Sequence, residues 1–502
     1  MAEIGLDSQR NGSEEQARQL RAQLRTIFAA GCSGAVVFAW TDEWFRGGSQ
    51  IEDWDFGLVT RDRKPKKAMA AVREAYQQVP FEPDIAWPRM SVVVCSFNGE
   101  ATIRDTLDCL QSIDYPDYEV IVVDDGSSDS TAVIAGDYEV QLISTENRGL
   151  SNARNTGWMQ ASGEIIAYID DDAYPDEHWL KFLAYTYMTG DFAAVGGQSP
   201  APAGGGFIAD CVANAPGRPV HVLLSDTEAE HIPGCNMSFK RSVLEEVGGF
   251  DPVYRAAGDD VDICWRIMDR GWRVGYQASA VTWHHCRNSI RAYWKQQHGY
   301  GKAEALLEEK WPEKYNSIGH LSWKGRIYSN VYSELLPFRS GRIYQGHWGT
   351  APFQSIYMPA QKLWTSLPLM PEWFFVIALL AGLTALGLAW TPLLIALPLL
   401  ILSLLIPAIQ ALYSVRLSQC PTPRSRQWQR LAVTGTTALL FLMQPVARLS
   451  GRLQNGLTPW RKSLVNTAPF KGALSRTFNI WSEKNQPHSY WLNRLEKQLE
   501  TS

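Results

Sequence analysis

The sequence predicts an α/β domain on a parallel sheet, followed by a helical membrane segment. Three observations predict it. From Met90 onward, short β-rich apolar runs alternate with amphipathic helical stretches. Two of those runs end in clustered carboxylates, Asp124-Asp125 and Asp170-Asp171-Asp172. From Leu369 to Val415 the chain is overwhelmingly apolar. Strand alternating with helix implies a parallel sheet covered on both faces, and such sheets bind ligands beyond the carboxyl ends of their strands.

Composition narrows the function classes. The 502 residues are enough for two or three domains, and the formal net charge of -5 makes no case for a nucleic-acid partner. Eight cysteines occur without a C-x-x-C pair, which excludes a zinc ribbon and points to free thiols in a reducing compartment. Met1 to Gln16 is polar and acidic, unlike a signal peptide.

Taken in order, the chain opens with a helix over Glu14–Ala30, a strand-like run Gly34–Trp40, and a helix from about Lys66 to Gln77. Phe38-Ala39-Trp40-Thr41-Asp42-Glu43-Trp44, Asp53-Trp54-Asp55-Phe56-Gly57-Leu58 and Lys64-Pro65-Lys66 resemble the closing β/α unit of a glycoside-hydrolase TIM barrel. Residues 1–85 are therefore read as a partial, barrel-like segment. A complete barrel needs about 200 residues or more, and a glycosidase generally needs two carboxylates, of which Glu43 would be one. Glycoside hydrolysis is thus the weaker alternative function.

The α/β domain spans 88–310. Ser91–Cys95 is a strand, Ile103, Leu107 and Leu110 mark a helix face, and Tyr118–Val123 is a second strand ending at Asp124. Val140–Ile143 is a third strand, and Asn147-Arg148-Gly149 opens a helix carrying Arg154. Ile165–Ile169 is a fourth strand, ending in three carboxylates that repel one another unless a cation sits among them. No G-x-x-x-x-G-K-[ST] occurs, and no G-x-G-x-x-G follows a strand, so P-loop and dinucleotide chemistry is unsupported. Further on, Val261, Cys264, Trp265 and Met268 form one helix face, with Asp259 as its expected N-cap and Asp260 in its first turn.

These stretches, with Val92–Gly99, Asn147–Asn155, Gly234-Cys235-Asn236-Met237-Ser238, Gly248-Gly249-Phe250-Asp251 and Gly258-Asp259-Asp260-Val261-Asp262, resemble the family 2 glycosyltransferases in order over some 220 residues. The resemblance implies a GT-A fold, the nucleotide-diphospho-sugar transferase architecture. It implies an inverting transfer of a sugar from a nucleotide-diphosphate sugar to a glycan or lipid-linked acceptor. It assigns the base to Asp125 or its neighbour Asp124, the diphosphate to Arg148 and Arg154, and ribose or metal to Asp170 beside Asp171. Asp172, Asp170 and His284 would hold a divalent Mg²⁺ or Mn²⁺. Asp260 would be the general base, with Asp259 standing where the family usually has Glu. Of the adjacent pair His284-His285, which follows the strand-like run Tyr276–Val281, only one can face the site, because adjacent residues on a strand point opposite ways. The Gln-x-x-Arg-Trp motif of processive members is missing near Gln296-Gln297, which argues for transfer of one or a few sugars. A non-catalytic nucleotide-sugar-binding membrane protein is the other alternative.

Residues 311–368 read as a juxtamembrane linker. Trp373–Trp390 and Leu393–Tyr413, within 369–415, each have about the length needed to span a bilayer. Residues 431–447 read as a shorter interfacial or re-entrant helix, and 448–502 as a tail. The segment Arg416–Arg430 carries four Arg and no acid, which places it, and the catalytic domain, on the cytoplasmic side of an inner membrane. A chain ended near Trp364 is expected to be soluble.

Overall fold

The computed structural model describes residues 2–315, 321, 323, 326–327, 368, 372–417 and 427–456. The N-terminal segment contains β1 (Ala2–Ile4), α1 (Ser8–Asn11), α2 (Ser13–Ala29), β2 (Ala35–Val37), a hairpin of β3 (Trp44–Arg46) and β4 (Ser49–Ile51), and α3 (Lys67–Gln77). β1 and β2 pair in parallel, and Leu20 and Leu24 of α2 pack on Ala68, Ala71, Val72 and Ala75 of α3. This is one βαβ unit with its own small core; two strands cannot close a barrel. Glu43 is ion-paired to Arg63 at the surface, and Asp42 is buried against Lys66 at 2.9 Å.

The second unit begins with β5 (Met90–Ser96), α4 (Ile103–Gln111), β6 (Tyr118–Asp124), α5 (Thr131–Gly136), β7 (Gln141–Ser144), α6 (Leu150–Gln160) and β8 (Ile165–Asp170). It continues through β9 (Ala173–Pro175), α7 (Trp179–Thr189), β10 (Ala194–Gly197), α8 (Phe207–Ala213), β11 (Val222–Leu223), β12 (Glu228–His231) and β13 (Asn236–Lys240). It closes with α9 (Arg241–Val247), α10 (Asp259–Asp269), β14 (Val274–Gln277), β15 (Thr282–His284), α11 (Ile290–Lys310) and β16 (Arg326–Ile327). The ten-stranded sheet has the order β16-β11-β12-β14-β10-β13-β8-β5-β6-β7.

Both faces of this sheet are covered. Val93, Ile166 and Tyr168 enter the core on one face, while Val92, Val94, Ile165, Ala167 and Ile169 enter the core on the other. Side chains alternate along a strand, so a strand covered on both sides reads as an unbroken apolar run. The sheet departs from the all-parallel expectation. β7, β6, β5 and β8 are parallel, but β13 runs antiparallel to both β8 and β10. β13 enters from the acidic edge, which brings Gly234 and Cys235 beside the end of β8. The expected strand Tyr276–Val281 is also split: β14 stays in the large sheet, and β15 pairs with β9 in a separate ribbon.

The C-terminal helices are α12 (Trp373–Leu386), α13 (Ala396–Leu417) and α14 (Gln427–Gln454), with a 3₁₀ turn over Thr391–Ile395. Their bounds differ from those of the expected spans. α12 has 14 residues, about 21 Å of helix against a hydrocarbon core of about 30 Å. Among the described residues, two stretches are long and apolar enough to cross a membrane, Thr391–Leu412 and Gln427–Gln454. The second is the one expected to be shorter. Of their most apolar windows, 17% is buried in the first and 39% in the second, so α14 is held by protein along much of its length. Val433 and Leu440 pack with Cys211, Val212 and Tyr293 of the catalytic unit, and Arg448 and Arg452 reach Glu304 of α11 at 2.7 and 2.8 Å. Ala438 and Phe441 of α14 pack on Ala411 and Val415 of α13. Most of the linker, residues 418–426 of the basic segment, and the tail from 457 lie outside the described residues.

Ending the chain near residue 364 removes α14 and uncovers Cys211, Val212 and Tyr293. The expected outcome is therefore a domain that unfolds at a lower temperature than the full chain, rather than an independent soluble unit. Thermal unfolding of the two forms in the same detergent checks this; equal midpoints would remove α14 from the stability of the domain.

Candidate active site

β5 positions the site because its neighbours end beside it. Asp124 pairs in register with Ser96 on one side, and Asp170 with Cys95 on the other. Both expected acidic turns therefore fall at one edge of the sheet. Asp124 accepts from the Ser127 amide at 3.0 Å. Asp125 accepts from the amides of Arg148 and Gly149, each at 2.8 Å, so it ties the end of β6 to the start of α6. Both carboxylates are buried, while the Arg148 side chain is exposed.

The three carboxylates after β8 diverge. Asp171 turns inward to Ser96 and lies over Gly99, where a Cβ would meet its carboxylate at 2.1 Å. Burial and the charge of Asp172 push Asp171 up to about 7. The β9–β15 ribbon sets His284 opposite Ala173, which brings the imidazole to the other two. His284 Nε2 lies 3.2 Å from Asp172 Oδ1 and 3.8 Å from Asp170 Oδ2. Burial alone would lower the His284 pKa, but Asp172 and Asp170 raise it to about 9. Burial works against ionising Asp172, yet His284 and Arg287 hold it well below the usual carboxylate range. The His285 ring lies against that of Tyr174 instead, tilted by 57° with centroids 5.6 Å apart.

α10 approaches from the other side. Gly258, at φ +92°, precedes it, and Asp259 is the first helical residue rather than the cap the sequence suggested. The Asp259 carboxylate is drawn inward by Arg154, a buried guanidinium on α6 that it contacts directly. Arg154 also reaches Asp170 Oδ1 at 3.4 Å and the Gly234 carbonyl at 3.2 Å. It is thus committed to an internal network joining α6, β8, the β13 entry and α10. A Cβ at 234 would lie 2.6 Å from the guanidinium, so a side chain there would displace Arg154 from this network. Burial and the neighbouring Asp260 charge raise Asp259 to about 6 despite Arg154.

Asp260 is the first-turn carboxylate that keeps an open side, at 22% side-chain exposure, whereas Asp259 and Asp262 are closed off. It accepts from the Gly234 amide at 3.1 Å and stands 3.2 Å from His231 Nε2. Burial alone would raise its pKa; a protonated His231 together with Arg154 outweighs that and holds it at about 2. The helix face also differs from the expected one: Ile263 and Ile267 are fully buried, while Val261 and Met268 are only partly so. Asp251 is paired to Lys310 at 2.7 Å.

Three residues at this site were not singled out from the sequence. Arg287 Nη1 donates to Asp172 Oδ2 at 2.9 Å, and a cation three positions past His284 was a readable signal. Cys235 brings its thiol to within 4.8 Å of donor atoms of both Asp170 and His284. It lay inside a matched stretch but was not weighed as a donor. His231 lies outside every matched stretch and had no local signal.

The family model described as Glycosyl transferase family 2 matches residues 91–248, and that of Glycosyl transferase family 21 matches 219–304. The glucosyl-dolichyl phosphate glucuronosyltransferase of Haloferax volcanii is 31% identical over 223 residues, covering 39% of this chain and 69% of that protein. The chain belongs to glycosyltransferase family 2. The poly-beta-1,6-N-acetyl-D-glucosamine synthase of Staphylococcus epidermidis is 28% identical over 267 residues, 50% of this transferase and 61% of the synthase. The pre-mycofactocin glycosyltransferase of Mycobacterium tuberculosis is 26% identical over 237 residues, covering 45% of this chain and 48% of its own. The chain thus spans 48–61% of the length of the first of its curated relatives. Among solved structures, a mannosyltransferase from Pyrobaculum calidifontis in complex with GDP-Man and Mn²⁺ aligns at TM-score 0.36 and 24% identity, over 49% of this chain and 72% of its own. The mixed sheet, with its acidic edge at the ends of β6 and β8, is the GT-A arrangement of that family.

Proposed function

We propose that this family 2 transferase is an inverting, metal-assisted enzyme working at a membrane surface, with a nucleotide-diphosphate sugar as donor and a glycan or lipid-linked acceptor. The observation that carries the reading is the convergence of Asp170, Asp172 and His284 with the open carboxylate of Asp260 across the Gly234 loop. The donor set fits a divalent cation. Two carboxylates suit Mg²⁺ or Mn²⁺, and an imidazole with a nearby thiol shifts the preference toward Mn²⁺. Such a cation would supply positive charge to the departing diphosphate. Asp124 and Asp125 line the strand ends where the base of the nucleotide would lie. Arg287, 42% exposed beside Asp172, is better placed than buried Arg154 to meet a diphosphate, and Arg148 is open to the same role. Asp260 would take the proton from the acceptor hydroxyl as that oxygen attacks the anomeric carbon, and a single displacement inverts it.

The membrane reading rests on apolar side chains that no protein covers. Leu379, Leu386, Leu388, Trp390 and Ile395 are all at least 60% exposed along α12 and the turn before α13. A contiguous apolar surface of this kind calls for lipid or a partner. In this reading α12 and α13 enter an inner membrane and α14 lies at the interface, holding the catalytic unit on the cytoplasmic side. Residues 1–85 would be a barrel-derived cap on that unit.

The test is release of nucleoside diphosphate from a panel of nucleotide sugars, with and without Mn²⁺. The expected outcome is turnover that EDTA abolishes and Mn²⁺ restores, and that Asp172→Ala does not show. Full turnover in EDTA would remove the cation from the mechanism.

A further inference from the structure

Resting on the reading of Asp260 as the base, we infer that His231 is the group that finally holds the acceptor's proton, receiving it through Asp260. His231 ends β12 and is 8% exposed. Its Nδ1 lies 3.1 Å from the Val220 carbonyl oxygen, which can only accept, so Nδ1 carries a hydrogen. Its Nε2 is buried without a hydrogen-bond partner and stands 3.2 Å from Asp260 Oδ2. With Nδ1 already protonated, a neutral ring turns a lone pair toward that carboxylate, and two acceptors face each other. One added proton converts the contact into a charge-assisted hydrogen bond. A proton arriving at Asp260 therefore has a better resting place one atom further on. The contact is short but not aligned as a formed hydrogen bond, and catalytic contacts of this kind tighten when the reactants are bound.

Among the described residues, the surroundings leave no competing imidazole. His221 also faces His231, but burial, reinforced once His231 is protonated, holds it down at about 4, so it stays neutral. The ring of Trp323 lies 5.7 Å from that of His231 and carries no charge. The charges and titratable groups that Asp260 feels are His231, Arg154, Asp259, Cys235, Tyr300 and Cys264, whose thiol burial also pushes up. Arg154 is committed to Asp259, and burial pushes both the Cys235 thiol and the Tyr300 phenol up, so both stay protonated and cannot take the proton.

The step balances. The acceptor O–H bond breaks, and its electron pair forms the bond to the anomeric carbon. The bond from that carbon to the diphosphate oxygen breaks, and its pair leaves with the nucleoside diphosphate. The proton passes to the Asp260 carboxylate and on to His231 Nε2, leaving an imidazolium beside a carboxylate. His231 is a positioning and relay residue; it acts on the acceptor only through Asp260.

The experiment uses the full chain in detergent. Rates of nucleoside diphosphate release are followed from about pH 5 to 9, the range in which an imidazole changes charge. The His231 ring is followed by NMR after labelling the histidines, its signal assigned by its loss in His231→Gln. The expected result is an acid limb of kcat/KM that coincides with the titration of the His231 ring. His231→Gln should bind nucleotide within a few-fold of the parent, lose that limb, and turn over at least about tenfold more slowly, less than the roughly 10²–10⁴ of a group that takes the proton directly, because His231 acts through Asp260. A His231→Gln enzyme with parental rate and pH profile overturns the relay, as does a ring titration displaced from the acid limb. If His231→Gln does not fold, the coincidence or mismatch in the parent decides, with the ring assigned from His221→Gln and other single-histidine variants. An active Asp260→Asn would instead sink the base assignment beneath it, whereas an inactive Asp260→Asn beside a parental His231→Gln sinks the relay alone.

Discussion

Asp260→Asn is expected to bind nucleotide sugar within a few-fold of the parent and to turn over about 10² or more times slower, the usual size of a lost general base. Asparagine has nearly the same shape. Its carbonyl oxygen can still accept the Gly234 amide that Asp260 accepts at 3.1 Å, so the loop between β12 and β13 stays in place. What it lacks is an anionic oxygen to take a proton. Binding of nucleotide measured by calorimetry, alongside product release measured in the same preparation, separates the two effects. Parental turnover in Asp260→Asn would move the base elsewhere. Asp251, the carboxylate of the matched stretch Gly248–Asp251, is occupied by Lys310 at 2.7 Å, so that outcome would require a different pocket altogether.

The second large effect is on stability. From the sequence, Asp259 was an N-cap whose replacement by Asn should cost under about 1 kcal/mol. The structure instead makes it the partner of Arg154, with both side chains almost entirely buried. Asp259→Asn then leaves a buried guanidinium with a carboxylate at 3.4 Å and a carbonyl at 3.2 Å, neither close enough to replace the lost ion pair. Removing one member of a buried pair typically costs about 3–5 kcal/mol, because the other charge is stranded out of water. For a domain of this size that lowers the unfolding midpoint by on the order of 10 °C. Arg154→Met combined with Asp259→Leu removes both charges and should be less destabilised than either single change. A midpoint for Asp259→Asn within a degree or two of the parent would show that the pair does not hold α10 in place.

The sequence by itself determined the α/β alternation, the acidic edge and the apolar C-terminal run. Each is a matter of neighbours along the chain: side-chain alternation within a strand, carboxylates next to a strand end, and the 3.6-residue face of a helix. Asp124 and Asp170 at one edge were legible for that reason; alternation allowed only one of His284 and His285 to face Asp172, and the family resemblance pointed to His284. What the tertiary structure decided is which distant charges meet. Arg154 and Asp259 are 105 residues apart, and His231 meets Asp260 only because β12 and α10 meet at the Gly234 loop. Residue type and local spacing carry no record of such register, so Arg154 read as a phosphate ligand and Asp259 as a cap. The same holds for α14. Its length and composition suit a membrane, yet one side of it is buried against α8 and α11, and that burial depends on surfaces brought together only when the whole chain has folded.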